Sequence, residues 1–333
     1  MAAPSWLPKH LSTASSSFSP SQNLLVTTVI PNLLDAISEI GKILRQSHQV
    51  SLTGGANTFG DDQLNVDVSA ENAVRAALAK CPSVVTASSE EDPVERPVVH
   101  TTTGGGDANV AQQFTVAFDP LDGSSIIGPN WTVGTIIGIW QGESALGQVP
   151  RDKQIAAILG IYGPRTTAIV ALREPGQQGS CFEIGLGEDG LQTAQLVREI
   201  IRLASPPYKT KYFAPANLRA AAEDEWYMSL VTSYISKKYT LRYSGGLVPD
   251  IVHSLSKGHG IYISPVTSVS KAKLRKLYEL YPIALIVECA GGNAIDGETK
   301  ADDILSKEAL TCDERGGIIC GNKEEIAEIL GGL

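Results

Sequence analysis

Short β-branched runs alternate along this chain with stretches whose apolar residues fall at helical spacing, and that alternation limits the architecture most. "TVGTIIGIW" and "RTTAIVAL" read as strands, as do "SVVTASSEED" and "FTVAFDPLDGSS", each of which runs from an apolar segment into an acidic turn. "PNLLDAISEIGKILRQ" places Leu33, Ile37, Ile40 and Leu44 on one helical face, with Pro31 near the helix start. "SAENAVRAALAK" predicts a short helix capped by Ser69. "LQTAQLVREIIRLA" predicts another, ended by Ser205-Pro206-Pro207, where a domain boundary is expected. Beyond it, "DEWYMSLVTSYISKK", "PDIVHSLSK", "KAKLRKLYEL" and "KEEIAEIL" read as helices and "IALIVECA" as a buried strand. Helices and strands alternate without a strict βαβ repeat, so the expected class is α+β or layered α/β.

A chain of 333 residues is long enough for roughly two domains. Its 43% hydrophobic content supports packed cores. A net charge of −9 argues against nucleic-acid binding, which needs a basic surface. Small anions remain admissible if a cation or a local basic cluster helps. The five cysteines (Cys81, Cys181, Cys289, Cys312 and Cys320) form no CxxC pair and read as reduced structural thiols of an intracellular protein. No apolar run reaches membrane-spanning length, so no membrane partner is expected. Residues 1–23 are serine-rich and free of acids, and read as a disordered tail. "LTGGANTFGDD" is a glycine-rich stretch, and Thr101–Asn109, with three consecutive glycines, reads as a flexible loop.

The octapeptide "FDPLDGSS" sets Asp119 and Asp122 three positions apart, a type I turn pattern that brings its end Cα atoms within about 7 Å. Two readings compete. Asp, Pro and Gly are good turn formers, and paired carboxylates also hold a cation that relieves their repulsion. Glu90-Glu91-Asp92 behind another strand, and Asp61, Asp62 and Asp67 behind the Gly54–Gly60 stretch, add acids of the kind a hard divalent ion needs. Gly123-Ser124-Ser125 offers close backbone N–H approach to a phosphate, whose oxygens would bridge the metals while an activated water attacks phosphorus. His253 and His259 match no zinc pattern, and neither a nucleophile elbow, a P-loop nor a dinucleotide fingerprint is present.

These stretches, with "FGDDQLNVD", "SSEED", "LRYSGGLVPD" and "KAKLRKLYE", resemble the fructose-bisphosphatase family from about residue 24 to the end, and within it the branch acting on sedoheptulose 1,7-bisphosphate. "DPLDGSS" alone admits the wider magnesium-dependent, lithium-sensitive phosphatases; the last two motifs are more specific. The resemblance implies a sugar-phosphatase fold with alternating helix and sheet layers in two subdomains. Residues 24–204 would be the metal-binding phosphatase domain and 205–333 the substrate-binding domain. It implies magnesium-dependent hydrolysis of the 1-phosphate, giving sedoheptulose 7-phosphate and phosphate. A fructose-1,6-bisphosphatase or a dual-specificity enzyme is the alternative, and a catalytically silent sugar-phosphate sensor the non-enzyme one.

By matched motif, Glu90, Asp119, Asp122 and Glu279 would bind metal, with the Leu121 carbonyl as a further ligand and Asp61 serving a third position. Two or three magnesium ions per subunit are implied, with manganese as the substitute. Glu91, assisted by Asp67, would orient and deprotonate the attacking water, and Gly123, Ser124 and Ser125 would hold the departing phosphate. Arg242 and Tyr243 would grip the second phosphate, with the arginine reaching from a neighbouring subunit of a homodimer or homotetramer; Asn217 is retained there, and Gly246 and Leu247 would contact the sugar. Lys273 and Glu279, six residues apart, would span about 9 Å if helical, close to the length of a sugar bisphosphate, so Lys273 is assigned to the distant phosphate.

Departures from the family pattern sharpen the expectation. Ala220 and Ser264 stand where fructose-bisphosphatases carry tyrosines, which should widen the distal end for a longer sugar. Gln113 and Phe114 replace the Lys-Tyr of AMP-regulated enzymes, so AMP inhibition is not expected. "SLTGGANTFGDD" lacks the paired redox cysteines of the plastid enzymes, which argues for a cytoplasmic rather than a plastid location.

Overall fold

The computed structural model describes residues 6–14, 23–56, 62–101 and 112–331. Helix α1 (Trp6–Ala14) comes first, and a π-helical turn, Leu25–Val29, then runs into α2 (Ile30–Gln46). A ribbon of β1 (Leu52–Ala56) and β2 (Asp62–Leu64) leads to α3 (Asn65–Leu78). The large sheet follows, from β3 (Val84–Ser89), β4 (Arg96–Pro97), β5 (Phe114–Asp122), β6 (Val133–Gln141), β7 (Gln154–Tyr162), β8 (Thr166–Leu172), β9 (Ser180–Gly187) and β10 (Gly190–Arg198). Its spatial order is β10-β9-β8-β7-β6-β5-β3-β4, with β3 and β5 parallel and the other pairs antiparallel. Short helices α4 (Ser124–Ile127) and α5 (Pro150–Lys153) lie in its connections.

A second sheet contains β11 (Tyr212–Pro215), β12 (Thr240–Leu241) and β13 (Ile261–Ser264), with helices α6 (Glu225–Ser236) and α7 (Leu247–Lys257) between them. After β14 (Leu274–Arg275) and α8 (Tyr281–Cys289), strand β15 (Asn293–Asp296) rejoins this sheet. The chain ends with β16 (Arg315–Gly316), β17 (Ile318–Gly321) and α9 (Lys323–Leu330). The second sheet has the order β12-β11-β13-β17-β15, while β14 pairs separately with β16.

Both faces of the large sheet are covered. Val116 and Phe118 of β5 pack into a core with Leu33 and Ile37 of α2 and Val74 of α3. Ala117, one residue out of phase, belongs to a second core with Val248 of α7, Ile283 and Ile286 of α8, and Tyr262 of the second sheet. A third cluster, including Tyr227, Phe213 and Ile326, lies between the second sheet, α6 and α9. The layers therefore run helix, sheet, helix, sheet, helix, as expected for a layered α+β chain.

Several local expectations are corrected. Residues 6–14 of the expected tail are helical, with Leu7 and Leu11 fully buried one turn apart and the Trp6 indole donating to the Ala194 carbonyl at 3.1 Å. Ser69 does not cap α3, which begins four residues earlier; its hydroxyl donates back to the Asn65 carbonyl at 2.9 Å. The predicted helix at 191–204 is instead strand β10 as far as Arg198 and irregular beyond it, and register shifts against β9 leave Leu191 and Ala194 buried at a helix-like spacing of three. "IALIVECA" is not a strand but most of α8, apolar on every side because both sheets pack on it. "KAKLRKLYEL" is not one helix: Leu274-Arg275 pairs with Arg315-Gly316 before a π-helical turn, Lys276–Leu280. The helical 9 Å span from Lys273 to Glu279 is therefore absent.

Candidate active site

The acids gather where β3 and β5 end side by side. Ser89 is in register with Phe118, and the Glu90 N–H donates to the Phe118 carbonyl at 3.1 Å. "DPLD" is not a detached type I turn. Strand pairing continues through it, with Asp119 opposite Ile136 and Asp122 opposite Gly134, three residues against two. In a regular strand, positions three apart face opposite ways; the extra residue of this bulge brings both carboxylates to one side. Beyond it Gly123 takes φ +103°, a left-handed conformation that favours glycine, and turns the chain into α4.

Asp119, Asp122 and Glu279 form one cluster, with a carboxylate oxygen from each within 4.8 Å of the others. All three are buried, with 3%, 8% and 6% of their surfaces exposed. Burial, with Asp122 and Glu279 as neighbours, pushes the Asp119 carboxyl well above its ordinary range. Burial takes Asp122 to about 6, against the pull of amides from Val248 and Leu247. It takes Glu279 to about 8, with Asp122 adding repulsion.

Backbone donors orient each acid. The Leu121 N–H donates to Asp119 Oδ1 at 2.9 Å, and the Arg275 N–H to Glu279 Oε2 at 2.5 Å. The Leu247 and Val248 N–H groups, the first turn of α7, donate to Asp122 Oδ1 and Oδ2 at 3.3 and 2.8 Å. Gly134 allows that approach, since a Cβ there would lie 2.4 Å from Val248 Cγ1. These acids oppose one another's ionisation and offer only hard oxygen donors. A divalent cation such as magnesium fits that donor set.

A second acidic group adjoins the first. Asp67 Oδ2 accepts the Leu64 N–H at 3.0 Å, while its buried Oδ1 has no hydrogen-bond partner among the described residues. Burial raises Asp67 to about 6, and the nearby Glu91 charge adds to the shift. Glu90 is engaged by the Arg275 guanidinium.

The remaining expected site residues lie on several elements. Leu121 is buried, its carbonyl accepting from the Ser124 hydroxyl at 3.5 Å; Ser124 and Ser125 are exposed at the start of α4. Arg242 and Tyr243 are exposed just past β12, and the Asn217 backbone hydrogen-bonds the Tyr243 hydroxyl. Gly246 precedes α7, and its N–H donates to Ser244 Oγ at 3.3 Å, while Leu247 is buried. Lys273 is exposed immediately before β14. Asp61 lies outside the described residues. Ala220 is fully buried in the third apolar cluster, so the expected widening does not open at its side chain, whereas Ser264 is half-buried.

Sequence reasoning passed over Arg275 and Glu71. Arg275 sits inside "KAKLRKLYE", whose reading as a helix names only Lys273 and Glu279 as site residues. Glu71 accepts from Ser89 Oγ at 2.9 Å and pairs with Arg75 at 2.5 Å. Its place one turn after Asp67 on α3 was the available signal.

A layered α+β fold with a buried carboxylate cluster at paired strand ends fits a metal-dependent phosphatase, and comparison with known proteins narrows it. Residues 11–192 match the model of the fructose-1-6-bisphosphatase N-terminal domain, and residues 206–331 that of its C-terminal domain. A chloroplastic sedoheptulose-1,7-bisphosphatase of Triticum aestivum is 38% identical over 311 residues, 92% of this chain and 72% of the wheat protein. A class 1 fructose-1,6-bisphosphatase of Syntrophotalea carbinolica is 35% identical over 308 residues, 90% of this chain and 88% of that protein. A crystal structure of a Toxoplasma gondii protein assigned as a sedoheptulose-1,7 bisphosphatase superposes with a TM-score of 0.82 at 32% identity, covering 99% of this chain and 98% of that one. The chain belongs to the fructose-1,6-bisphosphatase family and is a sugar bisphosphatase, a phosphoric monoester hydrolase. No helix among the described residues is long and apolar enough to cross a membrane.

Proposed function

We propose that this chain is a magnesium-dependent sedoheptulose-1,7-bisphosphatase that removes the 1-phosphate. The buried Asp119–Asp122–Glu279 cluster is the observation that carries the chemistry. Asp119, Asp122, Glu279 and Glu90 would hold the cations with the Leu121 carbonyl, and Asp61 a third; manganese is the substitute. When bound, magnesium supplies positive charge to the phosphoryl oxygens and lowers the pKa of a water.

The protein's own groups do the rest. Glu91, beside Asp67, takes the proton of the attacking water; as a base it acts in its ionised form. Gly123, Ser124 and Ser125 bind the departing phosphate through amide N–H and hydroxyl groups. Arg242 and Tyr243, with Asn217, bind the second phosphate, Gly246 and Leu247 meet the sugar, and Lys273 supplies further charge. Delivery of Arg242 to a neighbouring subunit's site would make the enzyme at least a homodimer. Residues 24–204 would then form the phosphatase unit and 205–333 the sugar-binding unit, which also lends Glu279 to the metal cluster. A cytoplasmic location is the accompanying proposal.

The wheat relative, named as a sedoheptulose-1,7-bisphosphatase, favours the seven-carbon sugar; the class 1 bacterial relative favours fructose 1,6-bisphosphate as the second reading. Phosphate release from each sugar, with magnesium and with EDTA, separates them. The expected result is faster release from sedoheptulose 1,7-bisphosphate, abolished by EDTA. A higher kcat/KM for fructose 1,6-bisphosphate overturns the preferred substrate, and EDTA-insensitive release overturns the metal requirement.

A further inference from the structure

The second sheet contains a buried polar cluster that the hydrolysis above does not use. The Tyr239 hydroxyl sits 2.7 Å from Glu325 Oε2 and 2.9 Å from Oε1. His259 Nε2 lies 3.2 Å from Glu325 Oε1, and its Nδ1 accepts the Tyr212 N–H at 3.0 Å, which makes Nε2 the protonated nitrogen facing the carboxylate. Lys211 Nζ donates to the Tyr239 hydroxyl at 3.1 Å and lies 3.7 Å from Glu325. The Glu325 and His259 side chains are only 4% and 3% exposed. Burial opposes ionisation of Glu325, yet His259, Tyr239 and Lys211 together hold its carboxyl below the ordinary value.

The cluster joins the origins of two strands. Tyr212 begins β11, and Tyr239 immediately precedes β12. β12 is an edge strand of two residues, in register through Tyr212 with Thr240 and Phe213 with Leu241. The N–H groups of Thr240 and Arg242 donate to the Lys211 and Phe213 carbonyls at 2.7 and 2.9 Å. So short an edge has little cooperative pairing of its own, and a one-residue slip would turn its side chains to the opposite faces. Arg242 and Tyr243 follow directly. The Arg242 guanidinium lies 5.7 Å above the Tyr212 ring, whose own N–H is held by His259.

We propose that the buried Tyr239–Glu325–His259 cluster is the register pin of β12 and thereby a positioning unit for Arg242 in its hold on the second phosphate. This rests on the reading of Arg242 given above. Tyr239, Glu325 and His259 touch no substrate in this scheme; they fix where the strand carrying the grip begins.

The test measures KM and kcat for sedoheptulose 1,7-bisphosphate and fructose 1,6-bisphosphate in magnesium, with a thermal melt of each variant. Tyr239→Phe, which removes only the hydroxyl, is expected to raise KM about three- to tenfold with kcat within about twofold of wild type. Glu325→Gln keeps the side chain's shape and should move KM the same way. Arg242→Ala should raise KM further, and Tyr239→Phe combined with Arg242→Ala should be no worse than Arg242→Ala alone, because the pin acts through the arginine. Lowered Tm with unchanged KM in Tyr239→Phe and Glu325→Gln, beside a raised KM in Arg242→Ala, overturns the pin alone. Additive effects in the double variant overturn it as well. An unchanged KM in Arg242→Ala overturns the reading of Arg242, and the pin with it.

Discussion

Removing one charge from the carboxylate cluster should change how the metal-free protein responds to pH. Glu279 ordinarily titrates near 4.5 and here at about 8, so its folded environment favours the protonated form. A folded value above the unfolded one gives stability that is complete below about pH 4.5 and is lost as pH rises through about 8. At 1.36 kcal/mol per pH unit, the full effect is about 5 kcal/mol. Asp119 and Asp122 share the strain, so the part belonging to Glu279 should be roughly 2–3 kcal/mol. In a chain of this size that corresponds to a fall in Tm on the order of 5 °C between pH 5 and 8.5. The assay is thermal unfolding by circular dichroism in EDTA at several pH values, with wild type and Glu279→Gln side by side. The variant should show a clearly shallower slope, with Asp119 and Asp122 retaining their own burial-raised values, and magnesium should restore wild-type stability at the alkaline end. A wild-type Tm that stays flat in EDTA, or a Glu279→Gln curve parallel to it, would refute the reasoning.

Glu91→Gln should bind bisphosphate and magnesium normally while kcat falls by about 10²–10⁴-fold; near-normal turnover in a steady-state assay removes Glu91 as the base. Lys273→Ala should raise KM for a bisphosphate several-fold with little change in kcat, and an unchanged KM excludes that lysine from the distal phosphate. Gly134→Ala places a methyl group against Val248 and should push α7 away from Asp122. Weaker magnesium binding by calorimetry and a Tm lower by several degrees are expected, since overpacking costs about 1–3 kcal/mol; unaltered magnesium affinity would show that the amides do not hold the clamp.

The pairing of Asp119 with Asp122 was legible because it is local to one strand end, but its geometry was not. A type I turn and a bulge both admit Asp-Pro-Leu-Asp, and only the pairing with β6 shows which forms. Long-range pairing also hid the role of Arg275, because nothing near Leu274-Arg275 announces a partner forty residues on at Arg315-Gly316. Composition misled twice in opposite directions. α8 reads as a buried strand because it is enclosed by two sheets, and β10 reads as a helix because irregular pairing spaces its inward residues by three. Leu7 and Leu11 carried the i, i+4 signal for α1 inside a serine-rich stretch that outweighed it. Helices such as α2 and α6, whose periodicity serves one buried face, were readable without that context.

The donors that hold Asp122 have a consequence for engineering. The two N–H groups that aim it, and one of the two acids beside it, are encoded downstream of residue 240, in the half expected to select the sugar. A chimera that exchanges this half with a relative's to change sugar preference would also exchange part of the carboxylate cluster proposed to bind the ion. The two halves are not modular, and altered metal affinity should accompany such a graft even where every acid of the first half is left intact.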